Sequence, residues 1–152
     1  MKRMKLASLL LLLLTALPAM ADGADSTTFK GYLYNAEYQV YIDMDFYGSS
    51  VLVPQQEIFG ELPGYFGAVR DNRKWPFTDA EITGPGTARL EITNDYGSED
   101  LVATLSLNEN GTYTLKQESG STLKIAVNRK WVKIPKTLVF ERRTERVPTP
   151  FD

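Results

Sequence analysis

The sequence predicts an all-β fold in which an antiparallel meander of eight to ten strands closes into a small barrel. Three observations lead to this prediction. Apolar residues alternate with polar residues at a period of two, turn residues separate these runs at regular intervals, and no helical periodicity follows the N-terminal segment. A β-sandwich is the alternative. A barrel is favoured because strands joined as hairpins close on themselves and leave no exposed edge.

The strands follow from the alternation and from the turns between them. In the second strand, Val40 and Ile42 point to one face while Tyr41 and Asp43 point to the other, which we expect to meet water. A three-stranded meander is predicted in DLVATLSLNENGTYTLKQESGSTLKIAV, where Asn-Gly and Ser-Gly supply the turns. The other predicted strands are FKGYLYNAE, YQVYIDMDFY, GYFGAVR, FTDAEIT, TARLEIT and KTLVFERR.

Residues 1–21 have the three parts of a secretory signal peptide: a basic start, an apolar run and a small-residue cleavage site ending at Ala21. The apolar run is shorter than the about 20 residues that a membrane-spanning helix needs. An uncleaved membrane anchor is the alternative. We expect cleavage and export to the periplasm or the extracellular space, without a membrane span in the mature chain and without lipid attachment, because the chain has no cysteine.

The remaining chain is long enough for one domain with an ordinary hydrophobic core. We assign residues 22–146 to a single β-barrel domain and residues 147–152 to a loose C-terminal tail that contains Pro148 and Pro150. No disulfide is available to this exported chain. Its stability must therefore come from packing and from the hydrogen bonds of the sheet.

Catalytic chemistry is restricted by the absence of histidine and cysteine. Their absence excludes a Ser-His-Asp triad, a thiol nucleophile and metal sites built from His or Cys, so we predict a protein without enzymatic activity and without a cofactor or metal. Asp43 and Asp45 provide the one alternative, a carboxylate-based hydrolase. The acidic segment NDYGSED lacks the ligand spacing of an EF-hand and is interpreted as a polar turn.

Charge is divided unevenly along the chain. Residues 22–109 hold five basic and fifteen acidic residues, whereas residues 116–146 hold nine basic and three acidic residues. Two interpretations remain open: cross-strand pairing of acidic with basic strands, and a basic C-terminal face that recognises an acidic protein partner, as in an inhibitor or interaction module. Nucleic acid is not predicted as a partner, because the exported chain is acidic overall.

The tetrapeptide NRKW occurs twice, 56 positions apart, and holds both tryptophans, Trp75 and Trp131. A repeated binding site, a duplication and two corners of one core are the alternatives. Duplication is disfavoured, since YGS recurs at a different offset of 49 positions. We interpret the copies as hairpin corners in which Asn takes the turn, the basic side chains face water and Trp closes one end of the barrel.

A non-catalytic binding function is predicted for a small apolar or glycan-like ligand. The segment IFGELPGYFGAVRDNRKWPF is rich in aromatic residues, and barrel mouths are common ligand sites. Core packing of the same rings is the alternative. In the binding hypothesis, aromatic side chains hold the ligand at the mouth and two arginines orient an anionic group; these residues are Tyr65, Phe66, Trp75 and Trp131, with Arg73 and Arg129.

The order of segments resembles the small lipocalin-like or calycin-like barrels that Gram-negative bacteria secrete. The resemblance rests on a signal peptide, a short FKG strand near the mature start, a run of antiparallel strands and a basic last strand. It implies a barrel fold across the whole mature chain. The Gly-x-Trp signature of lipocalins proper is absent, because Gly31 is followed by Tyr32 and Leu33.

Overall fold

The computed structural model describes residues 25–151, so the predicted signal peptide, residues 22–24 and residue 152 lie outside the described residues. The protein is all-β, as predicted, and within the described residues no helix is long and apolar enough to cross a membrane. The strands are β1 (Lys30–Asn35), β2 (Val40–Asp45), β3 (Val51–Leu52), β4 (Glu61–Leu62), β5 (Gly64–Ala68), β6 (Asp71–Gly84), β7 (Thr87–Thr93), β8 (Asp100–Leu107), β9 (Tyr113–Gly120), β10 (Lys124–Val127), β11 (Lys130–Lys133) and β12 (Thr137–Arg143).

Eight strands form a closed antiparallel barrel in the order β1-β12-β9-β8-β7-β6-β5-β2, which confirms the predicted barrel. The first and last strands complete the ring, with Tyr32 opposite Arg143 and Tyr34 opposite Glu141. Two short hairpins lie outside this ring, β3 with β4 and β10 with β11. Closure gives every barrel strand two hydrogen-bonded neighbours, so the barrel has no open edge.

The interior of the barrel is filled with side chains. Alternate positions of each strand point to the same side, so the residues predicted to face inward on β2, β7 and β8 are buried, except Leu107 at the end of β8, which is 39% exposed. Eight strands enclose a space that side chains alone can fill. The largest fully buried side chains of this core are Phe29, Phe66, Phe77, Tyr113, Phe140, Leu33, Ile42, Met44, Leu90 and Ile92.

The predicted three-stranded meander is wrong in its third strand. β9 pairs with β8 and β12, whereas β10 leaves the barrel and pairs with β11. Gln117, a buried residue of β9, explains the departure: its side-chain oxygen accepts from the amide of Leu123 at 2.8 Å, and its amide nitrogen donates to the carbonyl of Pro135 at 3.1 Å. One side chain thus holds both ends of the β10–β11 hairpin.

The β10–β11 hairpin covers one end of the barrel. Leu123, Ile125 and Ile134 belong to the main core, so the hairpin places its apolar face against the open end of the ring. We call this the capped end; it comprises the hairpin, the turns at 36–39 and 69–70, and the loop 94–99.

A second apolar cluster lies outside the ring. It comprises Tyr32, Tyr34, Tyr41, Tyr65 and Val53, with Val147 packed against it. On β2, this face was predicted to meet water, and that prediction is wrong because Val51, Leu62 and the C-terminal segment cover the cluster. Gly67 makes room for this cluster, since a Cβ there would lie 2.6 Å from the ring of Tyr41.

The C-terminal segment 144–151, whose last residues were expected to be a loose tail, runs along this second cluster. Arg146 forms an ion pair with Asp43, and the amide of Val147 donates to the hydroxyl of Tyr32 at 3.3 Å. Further along, the hydroxyl of Thr149 donates to the carbonyl of Val69 at 3.1 Å. The segment therefore returns along the barrel to the capped end.

Candidate functional site

The first NRKW copy lies at the start of β6, not in a turn. The chain turns at Val69 and Arg70, so the prediction that Asn72 occupies a hairpin corner is wrong. Trp75 points into the core and is 4% exposed. Its indole nitrogen donates to the carbonyl of Lys124 at 3.2 Å, which links β6 to the hairpin.

The second NRKW copy is the hairpin corner that was predicted. Asn128 and Arg129 form the turn between β10 and β11 with φ values of 52° and 65°. Two positive φ angles are typical of the type I′ turn that fits the twist of a two-residue hairpin. Trp131 follows on β11 and is 56% exposed, so this tryptophan does not belong to the core.

Asp71 links β6, which holds the first copy, to the hairpin, which holds the second. One carboxylate oxygen accepts from the amide of Ala126 at 2.8 Å, and the other accepts from the guanidinium of Arg73 at 3.1 Å. The Asp71 side chain is buried, where an unmet hydrogen bond is costly, so this contact fixes the hairpin to the barrel. The hairpin that carries Trp131 is thus tied to β6 by a buried hydrogen bond.

Two cations lie over the ring of Trp131. The guanidinium carbon of Arg73 is 4.9 Å from the ring centroid and the ammonium of Lys124 is 5.2 Å from it. Lys124 also forms an ion pair with Glu99 at 3.0 Å. Cations within about 6 Å of an aromatic face attract it, so these contacts help to hold the exposed indole in one orientation.

A groove of about 200 Å³ lies between Trp131 and the loop 94–99, and we call it the aromatic groove. Tyr96, 82% exposed, stands on its far side. Asn94 orders the loop by accepting from the amide of Ser98 at 2.8 Å. Burial raises the pKa of the Asp95 carboxyl above its ordinary value. The lining residues are Arg73, Trp75, Asn94, Asp95, Tyr96, Ser98, Glu99, Lys124 and Trp131.

A second groove of about 450 Å³ lies on the other side of Arg73 and Trp131, and we call it the basic groove. It runs between the turn at 69–70 and the hairpin turn. Four of its lining residues are basic and one is acidic. The lining residues are Arg70, Asp71, Asn72, Arg73, Ala126, Asn128, Arg129, Lys130, Trp131 and Phe151.

Four of the six predicted binding residues meet at the capped end: Arg73, Trp75, Arg129 and Trp131. Tyr65 and Phe66 do not join them. Both lie in β5 and are buried on opposite faces, Phe66 in the main core and Tyr65 in the outer cluster, as the core alternative proposed. Their alternation along one strand gives this result.

Sequence reasoning missed Tyr96, Asp95 and Lys124 as groove residues. The segment NDYGSED holds several carboxylates, yet residues 25–151 contain no cluster of three or more acidic groups that could hold a metal ion. A tyrosine among acidic residues in a predicted polar turn was the signal that the sequence offered.

Asp43 and Asp45, the candidate catalytic pair, have structural partners. Asp43 pairs with Arg146 of the C-terminal segment. Asp45 accepts from the hydroxyl of Ser50 at 2.6 Å and from the amide of Gly48 at 3.0 Å, and these hydrogen bonds, that of Ser50 first, lower its pKa. Each carboxylate thus holds a chain segment against the barrel.

Part of the basic C-terminal half closes the barrel. The guanidinium of Arg142 donates to the carbonyls of Lys30, Thr27 and Thr28 at 2.7 to 2.9 Å. Arg143 lies over the ring of Tyr34, with its guanidinium carbon 4.6 Å from the centroid. Arg129 and Lys130 of the hairpin, by contrast, remain exposed in the basic groove.

The fold and the capped end define a small closed antiparallel barrel with a filled interior, and such a barrel is compatible with a binding role. The chain matches no family model, no curated protein and no solved structure. The geometry of the capped end is therefore the basis for assigning a function.

Proposed function

We propose that this protein is an exported, non-catalytic binding protein that holds a sugar ring of a glycan-like ligand against Trp131 at the capped end. The observation that carries the proposal is the 56% exposure of Trp131 on a hairpin that Asp71 and Gln117 fix to the barrel. Large exposed aromatic rings on rigid elements are typical of recognition surfaces, since little conformational freedom is lost on binding.

A sugar fits the aromatic groove better than a purely apolar ligand does. One face of a pyranose ring presents C–H groups that pack on an aromatic ring, and its edge presents hydroxyls that need hydrogen-bond partners. Trp131 and Tyr96 supply the rings, while Asp95 and Glu99 supply acceptors within the same groove. The filled interior leaves the surface as the place for a ligand.

Tryptophan fluorescence during titration with a panel of oligosaccharides tests the proposal. We expect saturable quenching or enhancement in the wild-type protein, and at least about a tenfold loss of affinity for Trp131→Ala, measured by calorimetry. Trp131→Phe should retain part of the affinity because it keeps an aromatic face.

The matched control is Ile58→Ala, which removes a side chain that is 93% exposed and remote from both grooves. It should bind as the wild type does. Equal affinity of Trp131→Ala and Ile58→Ala for every saccharide that binds would contradict the proposal.

A protein-interaction module for an acidic partner is the second candidate, and the exposed basic residues Arg129, Lys130 and Lys133 of the hairpin favour it. A pulldown should then recover one acidic protein at low salt and lose it at high salt, because salt screens exposed charges. Recovery that does not depend on salt would contradict this candidate.

A further inference from the structure

The basic groove carries an excess of positive charge that the described chain does not neutralise. Its single carboxylate, Asp71, already accepts from the amide of Ala126 and from Arg73. Among residues 25–151, Arg129 and Lys130 have no ion-pair partner. Arg70 donates to the carbonyl of Tyr38 at 3.4 Å and forms no ion pair with another described residue. Such a concave positive surface attracts anions.

The backbone at Arg129 supports the same conclusion. Its φ of 65° lies in the left-handed region, and at the second position of such a turn glycine is the residue that fits without strain. An arginine there lowers stability and places a guanidinium at the rim of the groove. Strained positions of this kind cluster at binding sites.

The two grooves are continuous through Arg73 and Trp131, which line both of them. The guanidinium carbon of Arg73 lies 4.9 Å from the centre of the Trp131 ring. A ligand ring that packs on Trp131 therefore has cationic side chains within reach of its substituents. Guanidinium groups bind carboxylate and sulfate oxygens in pairs of parallel hydrogen bonds.

We propose that the basic groove is an anion subsite and that the ligand is an acidic saccharide, in which a carboxylate or sulfate group binds Arg129, Lys130 and Arg70 beside the ring on Trp131. The sugar part of this inference rests on the proposed function, whereas the anion subsite rests on the groove itself.

Matched ligand pairs test the proposal. The probes are oligogalacturonate and its methyl ester, a sulfated oligosaccharide and its unsulfated parent, and inorganic phosphate. We expect each acidic form to bind at least about tenfold more tightly than its neutral partner at low salt, with a preference that falls as salt rises. Equal affinity within both pairs would overturn the anion subsite and leave the proposed function standing.

Arg129→Gly is the decisive variant because it removes the charge and relieves the strained turn. We expect it to lose most of the preference for acidic ligands while its Tm rises by about 3 °C, so a failure to fold cannot explain the loss. Lys133→Ala removes a cation from the same hairpin outside the groove and should keep the preference. An unchanged preference in Arg129→Gly would refute the role of Arg129.

The remaining outcomes separate the two proposals. One outcome is that phosphate binds to the wild type and more weakly to Arg129→Gly while no saccharide binds. That result would support the anion subsite and overturn the proposed binding of a sugar ring on Trp131. Binding of no probe would overturn both. We expect Trp131→Ala to lose binding of neutral and acidic ligands alike. Arg129→Gly should lose only the preference for acidic ligands.

Discussion

The two NRKW copies have the same four residues and opposite environments. In the first copy Lys74 is 1% exposed and Trp75 is 4% exposed, whereas Lys130 is exposed and Trp131 is 56% exposed. The difference comes from the position of the turn. The first copy follows a turn and continues along a barrel strand, while the second copy contains the turn and stands on a hairpin outside the ring.

The comparison shows that a local motif does not determine burial by itself. Both tryptophans lie at the capped end and line the aromatic groove, but Trp75 fills the barrel from within and Trp131 covers the hairpin from outside. Trp75 belongs to the core beneath the aromatic groove, whereas Trp131 forms part of its exposed surface. The following predictions test this division, from the largest expected effect to the smallest.

The largest effect is expected at Trp75. Trp75→Ala should lower the free energy of unfolding by about 3 to 5 kcal/mol, because it leaves a cavity in the core and removes the hydrogen bond to Lys124. Trp131→Ala should change it by less than about 1 kcal/mol. Urea denaturation followed by circular dichroism measures both values. Similar losses for the two variants would mean that the copies do not differ in role.

Removal of Asp71 should separate the two copies. Asp71→Ala leaves the amide of Ala126 without its acceptor, and we expect a loss of about 2 kcal/mol. Faster hydrogen exchange at the Ala126 amide would show that the hairpin has loosened, while amides of β7 and β8 should keep their protection. Asp71→Asn is the control, because its side-chain oxygen can still accept and should restore part of the loss.

Glycine at the two arginine positions should have effects of opposite sign. Arg129→Gly relieves a left-handed backbone and should stabilise the protein by about 1 kcal/mol. Arg73→Gly places glycine within β6 and should destabilise it by about 0.5 to 1 kcal/mol or more, since an ion pair is also lost. Thermal unfolding of both variants measures the difference. Effects of the same sign would contradict the assigned turn.

Acid titration should give the smallest effects on stability, with opposite signs for Asp45 and Asp95. The hydrogen bond from Ser50 lowers the pKa of Asp45. This hydrogen bond therefore stabilises the fold above the ordinary pKa of 3.8, and the stabilisation is lost as the pH falls through the lowered pKa. Ser50→Ala should therefore be destabilising at neutral pH and close to neutral in acid.

Asp95 should behave in the opposite way, because burial raises its pKa and favours the protonated form. Folding stability is then lost as the pH rises from 3.8 through the raised value, and Asp95→Asn should gain Tm by about 1 to 2 °C only above that range. Scans of Tm against pH measure both variants. A Tm gain for Asp95→Asn that does not depend on pH would contradict burial as the cause.

The barrel itself could be predicted from the sequence, because a period of two and regularly spaced turns determine which face of each strand is buried. The departure of β10 could not. Leu123 and Ile125 alternate in the same way whether their strand pairs with β9 or covers the end of the ring. The buried Gln117 stabilises this path, and its side-chain hydrogen bonds to Leu123, Ile134 and Pro135 form only after the chain has folded back.

The candidate site was predictable in part for a similar reason. Trp131 and Arg129 belong to a local turn, and local turns can be recognised from sequence. Tyr96 approaches them only because the loop 94–99, which joins β7 to β8, lies at the same end of the barrel as the hairpin. Tyr65 was predicted to lie at the barrel mouth. Nothing in its own segment indicates that Val147, far along the chain, packs against the same face of the barrel as Tyr65.

Closure of the barrel has a consequence for how the chain folds. The guanidinium of Arg142 bonds to the carbonyl of Lys30, 112 positions earlier, so the ring is completed by its most distant pair of strands. Until β12 arrives, β1 and β9 are unpaired edges that can associate with other chains. Contacts of such long range are typical of folding in milliseconds to seconds. The arrival of β12 therefore covers both of these edges at once.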